Sequence, residues 1–231
     1  MLIRILHLVE GAEQATGVAV IIDVFRAFST ACYVFANGAR TIIPVGDLEL
    51  AYRLQKAHPD YVLMGERNER MQAGFDHGNS PTQIETVSFA DRTVIQTTSA
   101  GTQGIASARK ADQILTGSFV NARAVVDYIR RLQPQQVSLV AMGTAGTSRS
   151  DEDTLCAEYL RDALEGKGND FDSIVKRLRI CESAAKFFDP AKDWAPVRDF
   201  ELCLQLNHFP FVLRVEPWDD DLMCLRKIAP A

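Results

Sequence analysis

VAVIIDV, residues 18–24, decides the fold: an apolar run broken only by Asp23. Such a run is the pattern of a strand buried on both faces. RAFSTACYVFANGA (26–39) then reads as a helix closed by Asn37-Gly38, a C-cap signal. TIIPV (41–45) is a second strand, Gly46-Asp47 opens the helix DLELAYRLQKA (47–57), and YVLM (61–64) is a third strand. The same grammar returns downstream. RTVIQTT (92–98) is a strand, SAGTQGIASARKA (99–111) a short helix, and QILT (113–116) a strand. Gly117-Ser118 opens the helix VNARAVVDYIRRL (120–132), and VSLVAM (137–142) closes the series.

The strand ends also match, IPVGD against ILTGS and VLMGE against VAMGT. The expected fold is α/β, layered α/β/α with a mostly parallel sheet. Two similar β-α-β-α-β units, at about 18–65 and 92–143, point to a duplication. The chain is then a single unit, 1–231, with repeated lobes over 18–80 and 92–165 and residues 166–231 completing the fold. MLIRILHLVEGAEQ reads as an N-terminal strand rather than a signal peptide. KRLRICESAAKFF (176–188) reads as a helix, and FPFVLRVEPW (209–218), bounded by prolines, as a strand at a sheet edge. WDDD (218–221) reads as a solvated turn.

Composition narrows the function classes. Of 231 residues, 47 % are apolar and 24 % charged, ordinary for a soluble globular protein. A net charge of −5 argues against nucleic-acid or anionic-membrane surfaces, which need clustered Lys and Arg. No apolar run approaches the length of a membrane span. Five scattered cysteines without a C-x-x-C pair read as reduced thiols of a cytoplasmic protein, with Cys156 as packing. The four histidines are too dispersed for a local zinc site. Self-association as a homodimer is the default expectation.

Parallel strands present their functional groups in loops at their carboxyl ends. Those loops carry carboxylates, hydroxyls and glycines with Arg26, Arg67 and Arg149, a set suited to a phosphorylated ligand and a divalent metal. Asp23 is the sharpest residue, because a carboxylate inside an apolar strand is costly unless paired or metal-bound. Arg26 is one possible ion-pair partner; metal ligand and nucleophile are the functional alternatives. The D-x-D of haloacid-dehalogenase phosphatases is absent, since Phe25 occupies its third position.

In TTSAGT (97–102), Thr98, Ser99, Gly101 and Thr102 either bind an anion with free N–H and hydroxyl groups or simply cap a helix. In SRSDEDT (148–154), three adjacent acids exceed what a helix start needs and suit Mg²⁺, which prefers hard oxygens. His77 is a general-acid candidate from its ordinary pKa near 6.5. Neither a Walker loop nor a dinucleotide G-x-G-x-x-G is present, which argues against a dinucleotide oxidoreductase.

One segment, GERNERMQAGFDHGNSP (65–81), is too long for an ordinary connection. Together with VIIDVFRAFST, ANGARTIIPVGDLE, TTSAGT, ILTGSFVNA and GTAGTSRSDEDTLCA, it resembles the 2-phosphosulfolactate phosphatase (ComB-like) family over about residues 18–160. The resemblance implies a Mg²⁺-dependent phosphomonoesterase acting on a small phosphorylated anionic substrate. It would release phosphate and 3-sulfolactate from 2-phosphosulfolactate, a step of coenzyme M biosynthesis in methanogens.

It further implies metal ligands among Asp23, Glu66, Asp76 and Asp153, and catalytic roles for Asp23, Arg26, Asp76 and His77. Substrate contacts would come from Arg67, Asn79, Ser80, Thr98, Ser99, Gly101, Thr102, Ser118, Asn121, Thr144 and Arg149. Direct attack by water and an intermediate on Asp23 both stay open. Two departures stand out: Ala100 replaces an asparagine of the family pattern, and Glu158 replaces a glycine. The loss of that amide keeps a second reading open, a non-catalytic phosphometabolite sensor on the same scaffold.

Overall fold

The structure is a computed structural model that describes residues 1–219 and 221–229. The chain runs β1 (Leu2–His7), α1 (Leu8–Glu13), β2 (Gly17–Ile22), α2 (Ala27–Ala36), β3 (Thr41–Pro44), α3 (Leu48–Ala57) and β4 (Val62–Gly65). It continues with α4 (Pro81–Ile84), β5 (Thr93–Thr97), α5 (Gly101–Ser107), β6 (Ala111–Gly117), α6 (Ala122–Leu132) and β7 (Gln136–Ala141). The last elements are α7 (Asp151–Leu164), α8 (Phe171–Leu178), a 3₁₀ segment Glu182–Phe188, α9 (Val197–Cys203), β8 (Val212–Pro217) and β9 (Met223–Ile228).

Among the described residues, nine strands form one sheet in the order β1-β7-β2-β6-β8-β9-β3-β5-β4. Two parallel blocks, β1-β7-β2-β6 and β3-β5-β4, are joined by the antiparallel hairpin β8-β9. Side chains alternate across a strand, so each strand reports what covers its two faces. In β2, Val18, Val20 and Ile22 pack with Val125, Ile129 and Leu160 of α6 and α7. Ala19 and Ile21 instead share a core with Phe28 and Ala31 of α2, Ile105 of α5, and Ile42, Met64 and Val94 of the other block. Ile43, Leu63 and Ile95 pack outward, against Ala51 and Leu54 of α3. The two blocks therefore face one another across α2 and α5, with further helices outside each.

The two β-α-β-α-β stretches interleave. β2 of the first lies between β6 and β7 of the second, and β5 of the second lies between β3 and β4 of the first. Each half-sheet thus reads third, first, second, with the first strand supplied by the other unit. Duplication of one unit followed by reciprocal strand exchange would produce this pattern, and we propose that origin.

Three expectations need correction. The N-terminal stretch is a strand followed at once by helix α1, entered through Leu8 at φ +66°. The 176–188 stretch is not one helix, because α8 stops at Leu178 and a 3₁₀ segment starts at Glu182. β8 is internal rather than at an edge, paired to β6 and β9. Its prolines permit this because Pro210 precedes the strand and Pro217 is its last residue. Asp220 of the acidic turn lies outside the described residues.

Gly65 ends β4 with φ +135°, and a Cβ there would stand 1.9 Å from Thr97 O. Gly65→Ala is therefore expected to destabilise the fold by about 3 kcal/mol or more in urea unfolding. An unchanged unfolding midpoint would mean that the β4–β5 contact is looser than described.

Candidate active site

The ends of β2, β4, β5 and β7 converge on a cleft of about 290 Å³. Asp23, Arg26, Glu66, Asn79, Glu152 and Lys186 line it. All but Lys186 are among the buried polar residues of the chain.

Asp23 follows β2 and turns its Oδ1 back to accept the Ala27 N–H of α2 at 3.0 Å. Its Oδ2 faces Gly101, where a Cβ would come within 2.9 Å. Gly101 is thus needed for close approach of α5 to this carboxylate, a packing role rather than a ligand contact. Burial pushes Asp23 up to about 6, opposed by the Ala27 N–H. The nearby Glu66 and Glu152 charges push the same way, and Lys186 relieves part of it.

Of the three adjacent acids, Glu152 faces the cleft and Asp153 lies behind it. Asp153 accepts the N–H groups of Val24 (2.7 Å) and Gly143 (2.8 Å), clamping the ends of β2 and β7 together. With both oxygens held by backbone, Asp153 is poorly disposed as a metal ligand. Glu152 accepts from the Ser183 hydroxyl, and burial raises its pKa.

Arg26 is 4 % exposed and its Nη1 is held by Asp199 Oδ2 at 2.6 Å and Trp194 O at 2.8 Å. Asp199 Oδ1 accepts from the Ser80 hydroxyl (2.8 Å) and the Thr82 N–H (2.9 Å). Ser80 is the N-cap of α4, with Pro81 in its first turn as expected for that residue. Ser80 is therefore a scaffold residue, whereas Asn79 beside it lines the cleft with a buried Oδ1 lacking any partner. A buried amide oxygen without a protein donor is free to take water, a ligand or a cation. Lys186, from the 3₁₀ segment, donates to Glu69 Oε1 at 2.6 Å. Lys186 Nζ and the Arg26 guanidinium both lie against the Phe187 ring, 5.4 and 6.0 Å from its centroid.

The remaining sequence expectations divide. Glu66 is in the cleft, but its oxygens accept the Ser99 N–H and hydroxyl and the Glu69 N–H. Ser99 is thereby committed to Glu66 rather than free for an anion. Thr98 and Thr102 exchange hydrogen bonds across the start of α5, whose N-cap, Ala100, carries no side-chain cap. Arg67 binds Gly46 O and Thr97 Oγ1 and pins two loops instead of facing the cleft.

Asp76 is exposed and accepts the Leu63 N–H, extending the outer edge of β4. His77 bridges to Met64 through backbone and sets its ring 5.6 Å from Phe89; burial lowers its pKa. Neither lines the cleft. Ser118 and Asn121 are buried at the α6 entry, where Ser118 N donates to Asn121 Oδ1. Thr144 lines the cleft, and exposed Arg149 lines an adjoining hollow that shares Thr144, Glu69 and Lys186.

The family profile described as 2-phosphosulpholactate phosphatase matches residues 4–217. The chain belongs to the 2-phosphosulfolactate phosphatase family. It is 30 % identical over 200 residues to a "Probable 2-phosphosulfolactate phosphatase" of Bacillus subtilis (strain 168), covering 85 % of this chain and 86 % of the relative. A protein of the same name from Synechococcus sp. (strain RCC307) is 32 % identical over 216 residues, 92 % of this chain and 86 % of its own. One from Symbiobacterium thermophilum is 36 % identical over 177 residues, 72 % and 74 % of the two chains.

The family resemblance implies Mg²⁺, and the donors can be tested for it. Among the described residues no three His, Cys, Asp or Glu groups approach closely enough to enclose a metal by themselves. Mg²⁺ rarely asks for that, taking one or two carboxylates with water and substrate phosphate. The cleft offers Asp23, Glu152 and the unpartnered Asn79 Oδ1, all hard oxygens. That set fits.

Sequence reading found Asp23, Arg26, Glu66 and Asn79 but not Lys186, Glu69 or Asp199. Asp199 did leave a signal. It stands on the apolar face of α9 with Leu202 and Cys203, where an acid needs a partner.

Proposed function

We propose that the chain is a Mg²⁺-dependent phosphomonoesterase that hydrolyses 2-phosphosulfolactate to 3-sulfolactate and phosphate. One observation carries the reading. Two cations, Arg26 and Lys186, share the Phe187 ring at a cleft that also holds a desolvated carboxylate, Asp23. Asp199 and Glu69 each take one of these cations through a single nitrogen, and a phosphate ester can take the remaining N–H donors; the names of the relatives supply the substrate class. Nothing in the cleft favours the sensor. The five free cysteines agree with a cytoplasmic setting. Among the described residues, no helix is long and apolar enough to cross a membrane.

Phosphoryl transfer depends on positioning and charge neutralisation. In this reading Arg26 and Lys186 hold equatorial phosphate oxygens through charge-assisted hydrogen bonds. Asp23, Glu152 and Asn79 would hold Mg²⁺, which when bound neutralises phosphate charge and polarises the ester. Asp23 Oδ2 either orients the attacking water or attacks phosphorus itself. In the second route the P–O bond to the alcohol breaks and water then hydrolyses the acyl phosphate. The leaving alkoxide needs a proton. With His77 outside the cleft, the Lys186 ammonium is the donor at hand.

A substrate panel tests the class. Phosphate release is expected with Mg²⁺ and not with EDTA, and 2-phosphosulfolactate should exceed 2-phospholactate at least about 10-fold in kcat/KM. That ratio is the worth of one added charge-assisted hydrogen bond. Equal rates would remove the sulfonate from the specificity, and turnover unaffected by EDTA would remove the metal.

A further inference from the structure

We infer that Asp199 is a positioning residue that sets the orientation of Arg26 for phosphate binding, a role that rests on the proposed phosphatase reading. The carboxylate is fully buried, and its oxygens accept from Arg26, which lines the cleft, and from the turn that follows Asn79. Oδ2 takes Arg26 Nη1 at 2.6 Å, and Oδ1 takes the Ser80 hydroxyl and the Thr82 N–H. One side chain on α9 thus fixes both the guanidinium at the end of β2 and the turn carrying Asn79. Those partners lie 173 and 119 residues away in sequence from Asp199. Among the described residues, the Arg26 nitrogens other than Nη1 make no hydrogen bond, while Nη1 is held twice. A guanidinium gripped by one nitrogen is a fixed fork, with the rest of its donors held ready for a planar or tetrahedral oxyanion.

A pair that served stability alone would be an expensive choice, because a buried ion pair is often matched or bettered by apolar residues of similar volume. Its geometry matters more to a reaction, where a displacement of about 1 Å can cost on the order of 100-fold in rate.

The test is a double-mutant cycle on purified full-length protein, reading kcat/KM for phosphomonoester hydrolysis and the Kd of inorganic phosphate. Asp199→Asn is expected to weaken phosphate binding and to lower kcat/KM, each at least about 10-fold. Arg26→Ala should do the same, and the double variant should be no worse than Arg26→Ala within about twofold, since Asp199 acts through Arg26. Asp199→Glu keeps the charge and lengthens the arm, and it serves if the Asn variant does not fold. A folded Asp199→Glu protein should still lose at least about 10-fold, because the fork is moved. Multiplying losses in the cycle, or wild-type kinetics in Asp199→Glu, would overturn the positioning role. Wild-type protein without turnover on any phosphomonoester would instead overturn the proposed function, and this role with it.

Discussion

Asp23→Asn should lower the rate of phosphate release by at least about 10³-fold while making the metal-free protein more stable at pH 8. The two effects share a cause. Asp23 sits desolvated beside Glu66 and Glu152, which suits chemistry on a phosphate and works against folding. Its pKa rises from 3.8 to about 6 on folding, so the native state holds the proton more tightly than the unfolded chain does. The contribution favours folding fully below about pH 4 and fades as pH climbs through 6. At pH 8 the ionised carboxylate carries the whole penalty, about 3 kcal/mol for a shift of this size. The amide keeps the acceptor for Ala27 N–H and removes the charge. Thermal midpoints in EDTA should therefore rise by roughly 6–12 °C at pH 8 and barely change at pH 4. A variant that loses activity and stability together at pH 8 would make Asp23 a structural residue.

Arg26→Ala should damage fold and function together. Removing one partner of a buried pair strands the other charge, at a cost of about 3–5 kcal/mol. Here the stranded group is Asp199, which is fully buried. The kcat/KM should fall by on the order of 10²–10³-fold, as for loss of a preorganised donor to developing charge. Arg26→Lys retains charge but not the fork, so it should recover much of the stability and little of the activity. Urea unfolding and steady-state kinetics on the two variants separate those effects. Equal recovery of both in the lysine variant would reduce Arg26 to a point charge.

Most of the architecture could be read from local pattern. VAVIIDV, TIIPV and VSLVAM are strands because their apolar runs have covered faces on both sides. Asn37-Gly38, Asp47 and Ser80-Pro81 act as helix boundaries where the residues indicate. Pairing was not readable in the same way. Nothing local tells β2 to lie between β6 and β7, or β8 to sit mid-sheet, because partner choice depends on which faces remain uncovered after α2 and α5 are packed.

The site divided along the same line. Asp23, Arg26, Glu66 and Asn79 follow strands or precede a helix, so their direction is set locally. Asp76 and His77 belong to a segment that pairs with the edge of β4, which turns Asp76 to solvent and His77 against Phe89, both away from the cleft. Arg67 is spent on Gly46 and Thr97. Lys186 and Asp199 arrive from a tail whose place in the molecule no periodicity announces.

The most direct test of the cleft as a phosphatase site is the initial rate of phosphate release from 2-phosphosulfolactate by wild-type protein and Asp23→Asn, each with Mg²⁺ and with EDTA. The expected result is release in one condition alone, wild type with Mg²⁺. Release by Asp23→Asn at the wild-type rate would contradict it, and would place the chemistry outside this cleft.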